Sequence, residues 1–475
     1  MRAMSTLRML IAGVSLLVAV PTKADPLLPE DVLRSAALHF PSLVKAEAER
    51  DAREGERVSA LGGFDTQLES NGFDRLSGYY NGRTVTGGAS RRFREFGSEV
   101  YSSYSVSNGT FPIYEDKYFT NEAGELKLGV LFSLLRDRTI DDLRFAEVDT
   151  QLAVREADIE LLLTRIEVQQ RALVAYWQWV QAGHALAAYK NLLQIAVDRQ
   201  SALETEVESG RRAQIFLVEN QMNITRRQSL VASASRDFAI AANRLAMFWR
   251  DADGAPNVPS PEVLPPIDKL SQPVVRPTEA EILETLANRP ELRLLKTAMA
   301  RTERSLALAE NDLKPRLDFN MEVAQPFGPI GEGGVSRDES EAIIGFTFSI
   351  PLENRKAKGK IATNRSKLRA LEAEQQRTSE SLRIELRNLL AALEAARSLE
   401  QLAILEVDQT AQLQVAEIKR FENGASDFFL VNLREQAAAN AQIKLVNARA
   451  DLAVAQARYD AAMLNLDRLQ LADNS

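Results

Sequence analysis

The chain has 475 residues and a formal net charge of -8, and it contains two histidines and no cysteine. Without cysteine there can be no disulfide or thiolate metal site, and two histidines are too few for a histidine metal cluster. An acidic chain whose basic residues are not interleaved with aromatic ones is also a poor candidate for nucleic-acid binding. We therefore expect no cofactor, no metal and no nucleic-acid partner.

Residues 1–24 have the composition of an export signal. They contain three basic residues and no acidic one, and the apolar run Met9–Val20 is too short to cross a bilayer as a helix. Small residues precede the expected cleavage point after Ala24. The alternative is a cytoplasmic protein that begins with an apolar helix.

The remainder of the chain repeats one order of elements: a helical segment, alternating strands and a long helical hairpin. The first copy is residues 25–250, with strands in about 63–135 and a hairpin in 139–250. The second copy is residues 278–475, with strands in about 316–351 and a hairpin in 355–471. Residues 251–277 hold seven of the 17 prolines and are predicted to be a linker between the copies.

Four segments alternate apolar and polar residues with a period of two, which predicts strands with one apolar face. These segments are Phe64–Glu69, Leu126–Leu134, Leu317–Val323 and Ala342–Ile350. Leu126–Leu134 and Ala342–Ile350 have the length of tilted strands that cross a membrane, which need about 9–11 residues, and we expect the two shorter segments to be parts of strands of similar length.

The segment 73–123 is rich in Tyr, Gly, Ser and Arg and leaves two alternatives open. It is either a long loop, or it adds a further hairpin from Thr84–Ala89 and Val100–Val106. Its tyrosines are candidates for an aromatic girdle at a membrane interface. They are Tyr79, Tyr80, Tyr101 and Tyr104.

Two stretches with almost no helix breakers predict very long helices. Thr139–Ser209 contains no proline and a single glycine, Gly183, and from Lys360 to the end the only glycine is Gly424. A helix of roughly 70 residues is about 105 Å long. No single globular core accommodates such helices, so we expect a coiled coil, a bundle or an α-helical tube.

With these features the sequence resembles the TolC-like outer-membrane efflux proteins over nearly its whole length after residue 24. The most specific motif is Lys419–Gly424 followed by Leu430-Val431, and Glu206–Gly210 with Leu217–Glu219 echoes it in the first copy. Further matches are the helix openers and the strand-to-helix junctions. They are Phe40–Leu43, Arg289–Leu292, Phe132–Arg138 and Phe348–Arg355.

The resemblance implies a mainly α protein with membrane β-structure. In that family a homotrimer forms a 12-stranded β-barrel in the outer membrane, continuous with a long α-helical tunnel in the periplasm. Each chain is then expected to supply four strands and four tunnel helices. The implied function is a passive exit duct of a tripartite efflux or type I secretion system. An inner-membrane pump drives export through a periplasmic adaptor (membrane fusion) protein.

The resemblance also implies site residues near the hairpin tips. The adaptor-docking tips are expected at Ser209, Gly210, Arg211, Asn423, Gly424 and Ala425. Leu430 and Leu433 stand where the family's type member has acidic residues at its constriction, which predicts an apolar constriction. Phe216 and Phe421 are expected to form an apolar latch between hairpins.

A periplasmic coiled-coil scaffold or adaptor without a pore is the alternative, and it has no need of four membrane-length strands. An enzyme is not expected, because no nucleophile stands near a base in a recognisable pattern. The sequence does not identify the cargo, whether drug, metal, polysaccharide or protein, nor the adaptor and pump.

Overall fold

The computed structural model describes residues 25–266, 278–331 and 339–471. The predicted export signal and residues 267–277 of the predicted linker lie outside the described residues. The helices are α1 (Pro29–His39), α2 (Pro41–Leu61), α3 (Asp142–Glu208), α4 (Ile215–Leu245), α5 (Glu279–Asn288), α6 (Pro290–Asn311), α7 (Arg355–Glu422) and α8 (Phe428–Ala462).

The two longest helices lie where the breaker-free stretches predict them. α3 has 67 residues and α7 has 68, so each is about 100 Å long at 1.5 Å per residue. Two pairs of shorter helices, α1–α2 and α5–α6, are each interrupted where the second helix begins at a proline. Pro41 is the first residue of α2 and Pro290 is the first residue of α6. Proline is tolerated there because the first N–H groups of a helix have no acceptor within the helix.

The strands form one antiparallel sheet in the order β1-β2-β3-β4-β5-β6. They are β1 (Gln67–Asp74), β2 (Arg83–Arg92), β3 (Glu99–Asn108), β4 (Glu125–Ser133), β5 (Arg316–Pro326) and β6 (Glu341–Ser349). The expectation of four strands per chain is therefore wrong, because the segment 73–123 adds β2 and β3 to the sheet. Of the two alternatives for that segment, the additional hairpin is the correct one.

The chain divides into two compact units that do not coincide with the two repeats. We call one the tip unit, which contains residues 25–33, 173–266 and 399–453 of the described chain. The other is the sheet unit, with residues 34–172, 278–331, 339–398 and 454–471. α3 and α7 contribute residues to both units, so each unit contains helices from both repeats.

Each unit has its own apolar core. In the tip unit the fully buried rings of Tyr176 and Trp179 lie 5.9 Å apart, and Trp179 lies 6.5 Å from Phe238 of α4. In the sheet unit a smaller cluster joins the α5–α6 pair to α7 and the end of α8. Its buried members are Leu286, Leu292, Leu382, Leu386 and Ala462.

A buried ion cluster fixes three helices of the tip unit to one another. Glu435 of α8 is 2% exposed and accepts hydrogen bonds from Arg199 of α3 and, at 3.0 Å, from Arg227 of α4. Arg227 also donates to the carbonyl oxygen of Leu192 at 2.7 Å. Burial lowers the pKa of the Arg227 guanidinium below its usual value, and the neighbouring Glu435 carboxylate opposes that effect. The cluster thereby sets how α8 lies against α3 and α4 close to the hairpin tips.

We predict that Glu435→Ala destabilises the protein, because it leaves the buried Arg227 charge without its anion. The expected loss in free energy of unfolding is about 3–5 kcal/mol, measured by denaturant unfolding of the purified protein. Arg227→Met/Glu435→Leu, which removes the buried pair, should be more stable than Glu435→Ala alone. Asp237→Ala is the control, since its ion pair with Arg236 is exposed and should contribute little. A double variant no more stable than Glu435→Ala would contradict this account.

Candidate functional site

The sheet separates apolar from polar side chains across its two faces. Its register places Phe132 opposite Phe319 and Phe319 opposite Phe346, so neighbouring strands align their apolar residues. The apolar face includes Leu68, Val85, Val100, Tyr104, Val106, Leu126, Leu128, Val130, Phe132, Leu317, Phe319, Met321, Val323, Ile344, Phe346 and Phe348. The polar face includes Glu69, Thr84, Thr86, Ser103, Ser105, Lys127, Asp318, Asn320, Glu322 and Thr347.

Burial in this sheet is the reverse of that in a water-soluble protein. Phe346 is 79% exposed and Ile344 is 68% exposed, whereas Glu125 and Asp318 on the polar face are buried. Soluble proteins rarely leave a contiguous apolar surface uncovered, and such surfaces mark contacts with other molecules. The apolar face is therefore a surface that needs a partner.

The polar face carries a charged network in its centre. The Tyr101 hydroxyl donates to Glu322 at 2.9 Å, and Lys127 lies 3.5 Å from Glu322 and 3.7 Å from Glu125. The Tyr101 ring covers Gly129, its register partner, where a Cβ atom would lie 2.1 Å from the ring. The prediction that Tyr101 belongs to an aromatic girdle is wrong, because its side chain lies on the polar face.

Both outer strands of the sheet have an open edge. Among the described residues β1 pairs only with β2, and β6 pairs only with β5. Every residue of β1 is exposed, and so is every residue of β6 except Gly345. Open edges present unpaired N–H and C=O groups to any strand that approaches.

The predicted hairpin tips have the same backbone structure in both copies. Gly210 and Gly424 have φ values of 71° and 73°. The Arg211 N–H donates to the carbonyl oxygen of Glu206 at 2.9 Å, and the Ala425 N–H donates to the carbonyl oxygen of Arg420 at 2.8 Å. With a second bond from each glycine N–H, to the carbonyl oxygens of Val207 and Phe421 respectively, both long helices end in a Schellman motif. A Cβ on either glycine would meet no atom within 4 Å, so glycine is required for its φ and not for space.

The two predicted latch residues are joined by a third ring that the sequence analysis missed. Phe428, 1% exposed, lies 6.1 Å from Phe216 and 6.3 Å from Phe421 between ring centroids. Arg212 lies over the Phe421 ring at 4.4 Å and Arg199 over the Phe428 ring at 5.4 Å. Phe428 begins α8 directly after its capping residue Asp427, and that position is the signal that could have identified it.

The predicted constriction residues lie in the first two turns of α8 with unequal exposure. Asp427 accepts a hydrogen bond from the Leu430 N–H at 2.8 Å and so caps the helix. Leu433 is 48% exposed, Phe429 is 68% exposed and Leu430 is half-buried. Phe429 and Leu433 are four residues apart and share a helix face. The structure thus adds Phe429, which the sequence analysis missed, to the exposed apolar residues at this place.

No helix in the described part of the chain is both long and apolar enough to span a membrane. Within the same residues, no group of three or more histidine, aspartate or glutamate side chains is placed to hold a metal ion.

Comparisons with known proteins find similarity in structure and not in sequence. No family model matches the chain, and no curated protein matches it. The open state of the MtrE outer membrane channel of Neisseria gonorrhoeae superposes with a TM-score of 0.67 at 14% identity, over 92% of this chain and 88% of that one. The outer membrane protein VceC of Vibrio cholerae gives 0.62 at 14% identity, over 92% and 95%.

The CmeC outer membrane channel of Campylobacter jejuni gives a TM-score of 0.63 at 11% identity, over 97% of this chain and 94% of that one. These similarities extend over nearly the whole of each chain. At such low identity they establish the fold. The chain therefore has the fold of the TolC-like outer-membrane efflux channels.

Proposed function

We propose that this protein is an outer-membrane channel, the passive exit duct of a tripartite efflux or type I secretion system. The observation that carries the proposal is the exposed apolar face of the six-stranded sheet. In this arrangement the sheet lies in the outer membrane and the helical hairpins extend into the periplasm. A periplasmic adaptor and an inner-membrane pump would supply the cargo and the energy.

The dimensions of the strands support a membrane location for the sheet. Five of the six strands have between 9 and 11 residues, and β1 has eight, close to the length that a tilted membrane-spanning strand needs. The apolar face would contact lipid and the polar face would line an aqueous lumen. The alternative function, a periplasmic scaffold without a pore, does not explain why side chains such as Phe346 and Ile344 would be exposed to water.

The open sheet edges support self-association. With six antiparallel strands, β1 and β6 run in opposite directions, so β6 of one chain can pair antiparallel with β1 of the next. In lipid every backbone polar group needs a partner, and only a closed ring of strands gives one to both edges. The count of three chains follows from the resemblance to trimeric channels, and α3, α4, α7 and α8 of each chain would build the tunnel wall.

The first prediction tests membrane insertion. Phe346→Arg places a charge at the middle of β6 on the apolar face, which should cost about 2–4 kcal/mol at the bilayer midplane. We expect this variant to be lost from the outer-membrane fraction and to form no channels in planar bilayers. Thr347→Arg is the matched control, because the next residue of the same strand faces the lumen and should insert normally. A wild-type protein recovered as a soluble periplasmic monomer would overturn the proposed function.

A second prediction concerns docking at the tips. Gly210→Val and Gly424→Val force a β-branched residue to a positive φ, which distorts the helix end. We expect trimers to form and export to fail, measured as cargo released by whole cells. Gly424→Asn separates backbone strain from steric blocking of the tip. Asparagine tolerates a positive φ, so the turn should form normally, but its side chain still covers the surface that glycine leaves open to the adaptor. Wild-type export in both valine variants would show that the adaptor does not dock here.

A third prediction concerns the candidate constriction. Three copies of Leu433 and Leu430, with Phe429 on the same face as Leu433, would form apolar rings that block ions by dewetting. Leu430→Asp/Leu433→Asp should wet the pore through charge repulsion and raise the single-channel conductance, and divalent cations should block that current. Leu430→Asn/Leu433→Asn is the control: it is polar without charge, so its current should not respond to divalent cations. A conductance as low as wild type in the aspartate variant would mean that these residues face neighbouring helices.

A further inference from the structure

We propose that the hairpin β2–β3 is part of the membrane wall, so that three chains close a barrel of 18 strands. The inference rests on the proposed function, from which it takes the trimer, and on the six strands that each chain supplies. Since barrel diameter grows roughly linearly with strand number, this barrel is about half as wide again as a 12-stranded one. Its lumen would admit correspondingly bulkier cargo.

The hairpin is a full member of the sheet. β2 and β3 pair over ten residues, from Arg83 with Asn108 to Arg92 with Glu99, and β2 pairs with the whole of β1. Both strands follow the faces of their neighbours, with Val85 opposite Val106 on the apolar face. On the polar face the Thr86 and Ser105 hydroxyls are 2.9 Å apart. A loop folded away from the wall would have no such register.

The hairpin turn is fixed to the helices at one end of the sheet. Arg94, in the turn between β2 and β3, donates two hydrogen bonds of 2.9 Å to the Glu147 carboxylate on α3. Its guanidinium lies 4.5 Å from the centre of the ring of Phe64, which lies three residues before the start of β1. Arg144 of α3 donates to the Arg94 carbonyl oxygen at 3.0 Å. The turn is thus held where the strands meet the helices.

The opposite end is held as well. The Ser107 N–H donates to the Thr120 hydroxyl at 2.9 Å, and the Thr120 N–H donates to the Ser107 hydroxyl at 2.6 Å. The rings of Phe73 in β1 and Tyr118 in the β3–β4 connection lie 5.2 Å apart. With β1 on one side and β4 on the other, the hairpin cannot leave the wall without breaking both ladders.

The circumference of the barrel follows from the strand count. With strands about 4.8 Å apart and tilted by about 40°, the backbone radius is about 18 Å for 18 strands and about 12 Å for 12. Equivalent atoms in three chains are then separated by about 31 Å or about 21 Å. The difference of about 10 Å is large enough to measure directly.

The chain has no cysteine, so one introduced thiol reports one position. The variant Asn320→Cys places this thiol in the middle of β5 on the polar face. It is spin-labelled in the detergent-solubilised trimer, and the distance between labels is measured by pulsed electron paramagnetic resonance. We expect a distance near 31 Å between the labelled Cα atoms, after correction for the reach of each label into the lumen. A trimer with a distance near 21 Å would place the hairpin outside the wall and overturn this inference, while leaving the channel function intact. A protein that forms no trimer would overturn the proposed function, and this inference with it.

A deletion gives the matched comparison. Removal of residues 78–119 takes out β2 and β3 and leaves β1 next to β4, which run antiparallel as neighbouring strands must. In the same Asn320→Cys background, the same corrected distance between the labelled Cα atoms should fall to about 21 Å in the shortened trimer. An unchanged distance would contradict the proposal. If the shortened chain does not assemble, the measurement on the full chain decides alone.

Discussion

The exposed apolar face of the sheet is the constraint from which the rest of the structure follows. Exposing side chains such as Phe346 and Ile344 to water costs free energy, so this face favours an environment from which water is excluded. In a lipid environment the backbone of each strand must also be fully paired, because no water is present to satisfy it. In the proposed channel, one condition therefore explains three features together: the strand lengths, the polar lining that holds Tyr101 and Lys127, and edges that another copy would complete.

The far ends of the long helices meet a different requirement, because in the proposed channel they would lie in water and present a defined surface. Helices of about 100 Å would place their ends poorly if only their apolar stripes held them, because an apolar stripe tolerates sliding. Glu435 with its two arginines is a directional contact, and the ring of Phe428 between Phe216 and Phe421 adds a second. The two glycines then end the helices in the same way, so that both tips have the same backbone turn.

Patterns of neighbouring residues made most of the helices and strands predictable from the sequence. The long helices follow from missing prolines and glycines, and β4 to β6 follow from strong alternation. β2 and β3 were only one of two alternatives, because Gly87, Ala89 and Ser102 weaken the apolar side of their pattern. Alternation also does not tell which face a tyrosine joins, hence the wrong prediction for Tyr101. The contacts of Glu435 were not predictable, since Arg199 and Arg227 lie 236 and 208 residues away in the sequence.

The open edges of β1 and β6 have a consequence for biosynthesis. In the proposed channel, a newly made copy that has not yet met its partners would carry two unpaired strands and an uncovered aromatic surface through water. Such a copy is a template for unordered strand addition as readily as for ring closure. In the proposed channel the hazard would end only when the ring is complete, so assembly would have to outpace chance encounters between monomers. The yield of folded protein in the cell would then depend on expression rate more steeply than that of an ordinary soluble protein.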